Sequence, residues 1–319
     1  MAFSPDTYAS KSVLASGNWV KVSVESTGIH FIPLADLHYM GFNDLAKVGV
    51  YGYGGRRLPD VLDAKSFIDD LPRVQSVMTS AGIYFYAVGS YERDEDLNGF
   101  VIMKANPYSR AGYYFLSDCD ALPLRDIPES GIPEASDPAH SFVECVHHES
   151  DLVSPGKTGH YFVGEDMRFT SARSFLFSLP GVSDGGKVRA GASLCTDLVG
   201  ASSWDLSVSG HTATVAVDPT PRGEEYHGVV SEGWTPDFEY DGTGKLDVTL
   251  TLAGGAGNAR GAWIDWVTVN YDRDISLYNS SAILFETEAS EVAITGASGE
   301  TIIWDVTDPL GIYRIKAGL

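Results

Sequence analysis

Three short stretches of this 319-residue chain hold residues whose types and spacing could do chemistry. The first is DEDLNGF, in which Asp94, Asp96, Asn98 and Gly99 stand at the spacing of the first half of an EF-hand-type calcium loop. Oxygen ligands at alternate positions with a glycine at the bend are what such a loop needs. The twelfth position is Ala105 where a bidentate Glu belongs, so Asp94, Asp96 and Asn98 make an incomplete site. An exposed acidic turn ahead of the strand FVIMKA accounts for the same residues. No cofactor is expected, and calcium is the one ion these residues would admit.

The second stretch is ECVHHES, with Cys145, His147 and His148. A zinc site would need a second ligand pair at proper spacing, and neither C-x-x-C nor H-x₃-H is present. Side chains two apart on a strand share a face, which leaves Cys145 with His147 as a candidate nucleophile and base. The plainer expectation is a surface turn with a free thiol. The third stretch is VGVYGYGGRRLPD. A dinucleotide loop needs G-x-G-x-x-G leading into a helix, but the third glycine position is Arg57 and Pro59 follows at once. Gly52, Gly54 and Gly55 are therefore expected to serve a tight turn or bulge between strands. No G-x-S-x-G elbow exists, and no catalytic site assembles from the sequence. Tyr226, Trp234 and Tyr240 could form a stacking platform for a sugar or a contact for a partner. Trp263 and Trp266 lie three apart in WIDWVTVNY, so regular alternation puts them on opposite faces of one strand.

The elements that must position these residues are strands. NWVKVSVESTGIHFI alternates with period two around Thr27-Gly28 and reads as a hairpin. IYFYAV, GYYFLS, SFLFSLP, TATVAV, KLDVTLTLAG, EVAITG and TIIWDV repeat the pattern, each closing near a turn residue. One short helix is expected near 34–41 in PLADLHYMGF, between Pro33 and Gly41. Such a chain is mainly β, with two or more β-sandwich or jelly-roll-like domains and few short helices. ALPLRDIPESGIPEASDP carries four prolines in 18 residues and reads as a strap. The expected division is a β-rich domain over 1–155 ending in that strap, then a jelly-roll-like sandwich over 156–319. A further β segment is expected to begin after about residue 277.

Net charge is −21, which argues against nucleic acid or an anionic membrane as partner, since both require a basic surface. The count of three cysteines, Cys119, Cys145 and Cys195, is too low for a disulfide scaffold and leaves their pairing open. No apolar run reaches the roughly 18 residues of a membrane span. The N-terminal stretch lacks the basic and apolar blocks of a signal peptide.

A resemblance adds to this reading. SVLASGNWVKVSVESTGIHFIPLADLHYMGF, KVGVYGYGGRRLPD, NPYSRAGYYFLSD, HYFVGEDMRF, SFLFSLPG, AWIDWVTVNYDRDISL and IIWDVTDPL follow one another as blocks do ahead of a peptidase domain. From about Ser12 to Pro309 the chain resembles the N-terminal, non-catalytic region of the gingipain-family cysteine peptidases of Bacteroidetes, in particular the sortases of the type IX secretion system. That resemblance implies a downstream peptidase domain in the same polypeptide and a signal peptide already removed. It also implies a secreted, outer-membrane-associated or cell-surface location, with cargo proteins or the secretion machinery as partners. No position here matches the family's catalytic motifs, so no catalytic residue carries over. The expected role is a scaffold or docking module. The alternative is a stand-alone carbohydrate-binding or adhesion module.

Overall fold

The computed structural model describes residues 8–315 apart from 58–67, 97, 120, 124, 127–137, 158, 160, 222–227, 243, 254–258 and 279. The protein is mainly β, with several antiparallel sheets and almost no helix. It forms two compact units: unit 1 from residues 1–92, 104–133 and 297–319, and unit 2 from residues 93–103 and 134–296.

In chain order the elements are β1 (Trp19–Val24), β2 (Gly28–Pro33), helix α1 (Leu34–Tyr39), β3 (Gly49–Gly52), β4 (Arg73–Val74), β5 (Ser76–Met78) and β6 (Gly82–Ala87). The hairpin β7 (Tyr91–Glu95) and β8 (Val101–Ala105) follows, then β9 (Gly112–Ser117) and β10 (Arg125–Asp126). Unit 2 contributes β11 (Ser141–Glu149), β12 (Ala172–Ser178), β13 (Lys187–Leu198), β14 (Ser202–Val208), β15 (His211–Val217), β16 (Val229–Trp234), β17 (Phe238–Glu239), β18 (Lys245–Leu252) and β19 (Ala259–Asp274). β20 (Ile303–Asp305) and β21 (Tyr313–Ile315) belong to unit 1 again.

Unit 1 packs the sheet β1-β9-β3-β4 against β2-β6-β5, with Val24, Val50, Tyr114 and Leu116 meeting Ile83, Phe85 and Ala87 around Leu37 of α1. α1 starts directly after Pro33, and the backbone turns out of it at Gly41, whose φ of +93° suits a residue without Cβ. The hairpin expected around Thr27-Gly28 does not form. β1 pairs with β9 and β2 with β6, so the two strands sit in different sheets and bury Val20, Val22, Val24 and Ile32 in one core. Facing each other across a core hides both apolar rows, which side-by-side pairing would not achieve.

The cluster at VYGYGG is a packing device. The Gly55 amide donates to the Val88 carbonyl at 3.0 Å, and the Val88 amide donates to the Tyr114 hydroxyl at 2.9 Å. A Cβ on Gly55 would lie 2.1 Å from the Gly89 carbonyl oxygen. The amide that a phosphate cradle would aim at its anion is thus already bonded within the sheet.

Unit 2 is a two-sheet sandwich of order β11-β19-β13-β16 against β12-β18-β14-β15, with β17 also on β13. Apart from the β14–β15 hairpin, its eight long strands cross from one sheet to the other along the chain, as in a jelly roll. Leu194, Ile264, Val267 and Val269 of the first sheet interdigitate with Trp204, Leu206, Val248 and Leu250 of the second. The boundary expected near Pro155-Gly156 falls inside this unit, because β11 pairs with β19 along its whole length and cannot be separated from it. β21 pairs with both β10 and β20 in a small sheet of unit 1. EVAITG is represented only by single bridges at Val292 and Thr295.

Candidate functional site

The outer face of the β11-β19-β13-β16 sheet collects the polar chemistry of unit 2. β13 and β19 slip register between Ser193 and Leu194, a β-bulge. Ile264 and Val267 enter the core, and the extra residue lets Trp263, Asp265 and Trp266 all turn outward. Trp263 and Trp266 therefore share a face, against the expectation from strict alternation.

Register across four strands sets Glu149 of β11 opposite Trp266, Trp266 opposite Ser193, and Ser193 opposite Glu232 of β16. Asp265 sits in this row and accepts a hydrogen bond from the Ser193 hydroxyl at 3.0 Å. Burial pushes the Asp265 carboxyl up to about 6, and the nearby charges of Glu149 and Glu232 push the same way. Tyr161 brings its hydroxyl beside Asp265 and the Cys195 thiol without closing an aligned hydrogen bond. Burial raises both the Tyr161 hydroxyl and the Cys195 thiol, the latter to about 11. His147 faces the row as well, its Nε2 3.0 Å from Glu149 Oε2.

The segment bearing Tyr161 is laid along β19 beyond the end of β11. Gly164 and Met167 donate to the carbonyls of Ile264 and Ala262, and Ile264 donates to Glu165. The rest of the face is covered by the β7–β8 turn. The Asn270 side chain both accepts from the Val101 amide (2.9 Å) and donates to the Val101 carbonyl (2.8 Å), as a neighbouring strand would. Phe100 lies 4.8 Å from the Trp234 ring, and the Arg189 guanidinium lies 4.0 Å over Phe100.

The residues singled out in the sequence fall as follows. Asp96 accepts from the amides of Asn98 and Phe100, both at 2.8 Å, and from Asn98 Nδ2 at 3.1 Å. Although partial burial opposes it, these bonds hold the Asp96 carboxyl below its usual range. Asp94 accepts from the Glu95 amide. DEDLNGF is thus a hairpin turn tied by its own carboxylates, and among the described residues no group of three or more His, Cys, Asp or Glu side chains could hold a metal ion. An Asp96→Ala chain is expected to lose about 1–3 kcal/mol of unit 2 stability, measured by denaturation in the presence of a calcium chelator. The same loss with and without chelator is the signature of a turn; a loss seen only when calcium is present would assign the loop to the ion.

Trp234 is half-buried under Phe100, Tyr240 is buried in the unit 2 core with its hydroxyl donating to the Lys245 carbonyl, and Tyr226 lies outside the described residues. Tyr240 is therefore a packing residue rather than a surface contact. Cys145 and His147 share the outer face of β11, a strand and not the expected turn. The Cys145 sulfur lies 3.0 Å from Thr268 Oγ1, and burial raises the thiol to about 11. It is protonated at neutral pH and is not an activated nucleophile. Cys119, Cys145 and Cys195 are all free. Asp265, Glu149, Glu232 and Tyr161 were not visible as a group in the sequence, where only an aspartate between two tryptophans marked the place.

Stability should follow Asp265. Its carboxyl binds a proton more tightly in the folded chain (about 6) than at its ordinary value of 3.8, so its contribution is complete below 3.8 and lost as pH rises through about 6. Asp265→Asn is expected to be more stable than the parent at pH 8 by up to about 3 kcal/mol and to level the pH dependence between 5 and 8. Urea titrations at those two pH values measure it, and an Asn variant weaker than the parent at pH 8 contradicts the assignment.

The architecture defines the class: a β-sandwich unit with a jelly roll inserted in its sequence. The fold is similar to that of dimeric latent PorU from Porphyromonas gingivalis, with a TM-score of 0.82 and 24% identity over 97% of this chain. The chain spans 30% of that PorU chain's length. The CBM36-1 domain of a multidomain xylanase from the hindgut metagenome of Trinervitermes trinervoides gives a TM-score of 0.27 at 16% identity, covering 40% of this chain and 95% of its own. A family 35 carbohydrate binding module from Clostridium thermocellum gives 0.23 at 10%, covering 40% and 90%. Those two scores are too low to assert a shared fold. No family model and no curated protein matches the sequence. No helix among the described residues is long and apolar enough to cross a membrane.

Proposed function

We propose that this chain is the non-catalytic β region that precedes the peptidase domain of a gingipain-like cysteine peptidase of the type IX sortase kind, and that it acts as a scaffold or docking module. The observation that carries this reading is a fold agreement running through 97% of the chain while taking in only 30% of the PorU chain. In this reading the partners are the downstream peptidase domain, cargo proteins and the secretion machinery, at the cell surface or outer membrane. Docking would use an open sheet edge, since an unpaired row of amides and carbonyls takes up a further strand. Among the described residues β12 is such an edge, paired only with β18 and carrying the exposed Leu176.

In the source cell, an antibody to this chain should detect a species far above 34.3 kDa. Removing the whole region from that species should abolish removal of sorting domains from cargo. A native product near 34.3 kDa, or unchanged cargo processing, would overturn the reading.

A further inference from the structure

The turn between β7 and β8 holds the chain's one Asn-Gly pair, Asn98-Gly99, with both residues exposed. A glycine after asparagine leaves nothing beside the next backbone nitrogen to keep it from the asparagine side chain, which makes this pair the most reactive of its kind. Each group that such a reaction would use is bonded to Asp96. The attacking atom, the Gly99 amide nitrogen, donates to the Asp96 carbonyl at 3.0 Å. The departing atom, Asn98 Nδ2, donates to Asp96 Oδ2 at 3.1 Å. The Asn98 backbone amide donates to Asp96 Oδ1 at 2.8 Å, and the Phe100 amide shares that oxygen at the same distance. The Asp96 amide in turn donates to the Phe100 carbonyl at 2.9 Å, which closes the turn from the other strand. Reaction requires the Gly99 nitrogen to leave its carbonyl and the Asn98 side chain to swing off the carboxylate.

We propose that Asn98 is a deamidation site latched by Asp96, and that its conversion to an acid releases the β7–β8 turn. In the reaction the Gly99 nitrogen gives up its proton and bonds to Asn98 Cγ, the bond from Cγ to Nδ2 breaks, and Nδ2 leaves as ammonia. Water then opens the five-membered imide at one of its two carbonyls, which leaves aspartate or isoaspartate at position 98. Solvent water is the one co-reactant, and nothing is oxidised or reduced. The product cannot rebuild the latch. Where Asn98 Nδ2 donated to Asp96 Oδ2, a second carboxylate now faces the first, so an attraction becomes a repulsion between like charges. Isoaspartate also lengthens the main chain within a turn whose strands are already paired. That turn carries Phe100 onto Trp234 and Val101 onto Asn270, so its release uncovers that part of the sandwich face for good. The site lies in unit 2 and stands whether or not the docking role above holds.

Peptide mapping by mass spectrometry tests it, following the amide-to-acid mass gain at Asn98 in the intact chain and in a free peptide of residues 91–104 under the same mildly alkaline buffer. The folded chain should convert about tenfold more slowly than the peptide, because the reaction must wait for the turn to open. Asp96→Ala should bring the folded rate up toward that of the peptide. Trp204→Ala, which weakens unit 2 without touching the turn, should keep the parent rate and so separates the latch from a general loss of stability. A parent chain as fast as the peptide overturns the latch and needs no variant to fold. An Asp96→Ala chain no faster than Trp204→Ala overturns it as well. Asn98→Asp places the product's charge in the turn directly. Hydrogen exchange over residues 93–103 should then lose about tenfold in protection while β13 and β14 keep theirs, and unchanged protection there overturns the release.

Discussion

Gly55→Ala is expected to abolish the fold of unit 1. The new Cβ would stand 2.1 Å from the Gly89 carbonyl oxygen and 2.6 Å from its carbonyl carbon. These are backbone atoms that no rotamer change can move aside. Gly112 faces the same constriction from the other side, its own Cβ position 2.2 Å from the Val88 oxygen and 2.7 Å from the Gly55 amide. Relief requires the chain around Val88 to retreat from β9, which sacrifices the Gly55–Val88 and Val88–Tyr114 hydrogen bonds together. The cost should exceed about 3 kcal/mol, at the top of the range for overpacked sites. Gly99→Ala is the control: at φ +76° with no atom within 4 Å, it stores only backbone strain and should cost about 1 kcal/mol. Amide spectra and limited proteolysis report the outcome. A Gly55→Ala chain as well folded as the Gly99→Ala chain would falsify the packing account.

Trp204→Ala should remove about 3–5 kcal/mol from unit 2. The indole is fully buried on β14, yet its Nε1 donates to Ser231 Oγ of β16 in the facing sheet at 2.9 Å. The side chain thus spans the sandwich, contributing apolar contact on one side and a satisfied polar tip on the other. Truncation leaves a cavity and strands the Ser231 hydroxyl in the interior. Trp204→Phe keeps most of the volume and loses the bond, so its expected cost is smaller, about 1–3 kcal/mol. Chemical denaturation followed through the unit 2 transition separates the two variants. Near-equal, small losses would mean that neither the cavity nor the bond matters.

The strands were legible because their chemistry is local. KLDVTLTL alternates, and Leu246, Val248, Leu250 and Leu252 enter the core as that period demands. What sequence could not supply was pairing. NWVKV and GIHFI carry the local signal of a hairpin, while their partners β9 and β6 lie far along the chain and were chosen by the shared core. A bulge is hidden for the same reason. One extra residue near Asp265 reversed the expected facing of Trp263 relative to Trp266 and brought a carboxylate outward, and only the register with β13 reveals it. Glu149 and Glu232 look like ordinary solvated acids until four strands are aligned. Tyr240 misled for the opposite reason, since a tyrosine in a polar, turn-rich stretch gives no sign that its ring closes a core.

The division of the chain into units also dictates an order of assembly. Unit 1 precedes most of unit 2 in the chain but is interrupted by it, and it resumes only at residue 297. Ile312, fully buried against Tyr86 and Val88, arrives more than two hundred residues after its partners, and β21 likewise comes late to β10. A chain emerging from its N-terminus can therefore complete the inserted jelly roll before it completes the unit it started with. Until then, the Tyr86–Val88 surface and the open side of β10 stay bare on a half-made protein, the state in which strand-rich chains are most prone to wrong pairing. The domain begun first is the one finished last.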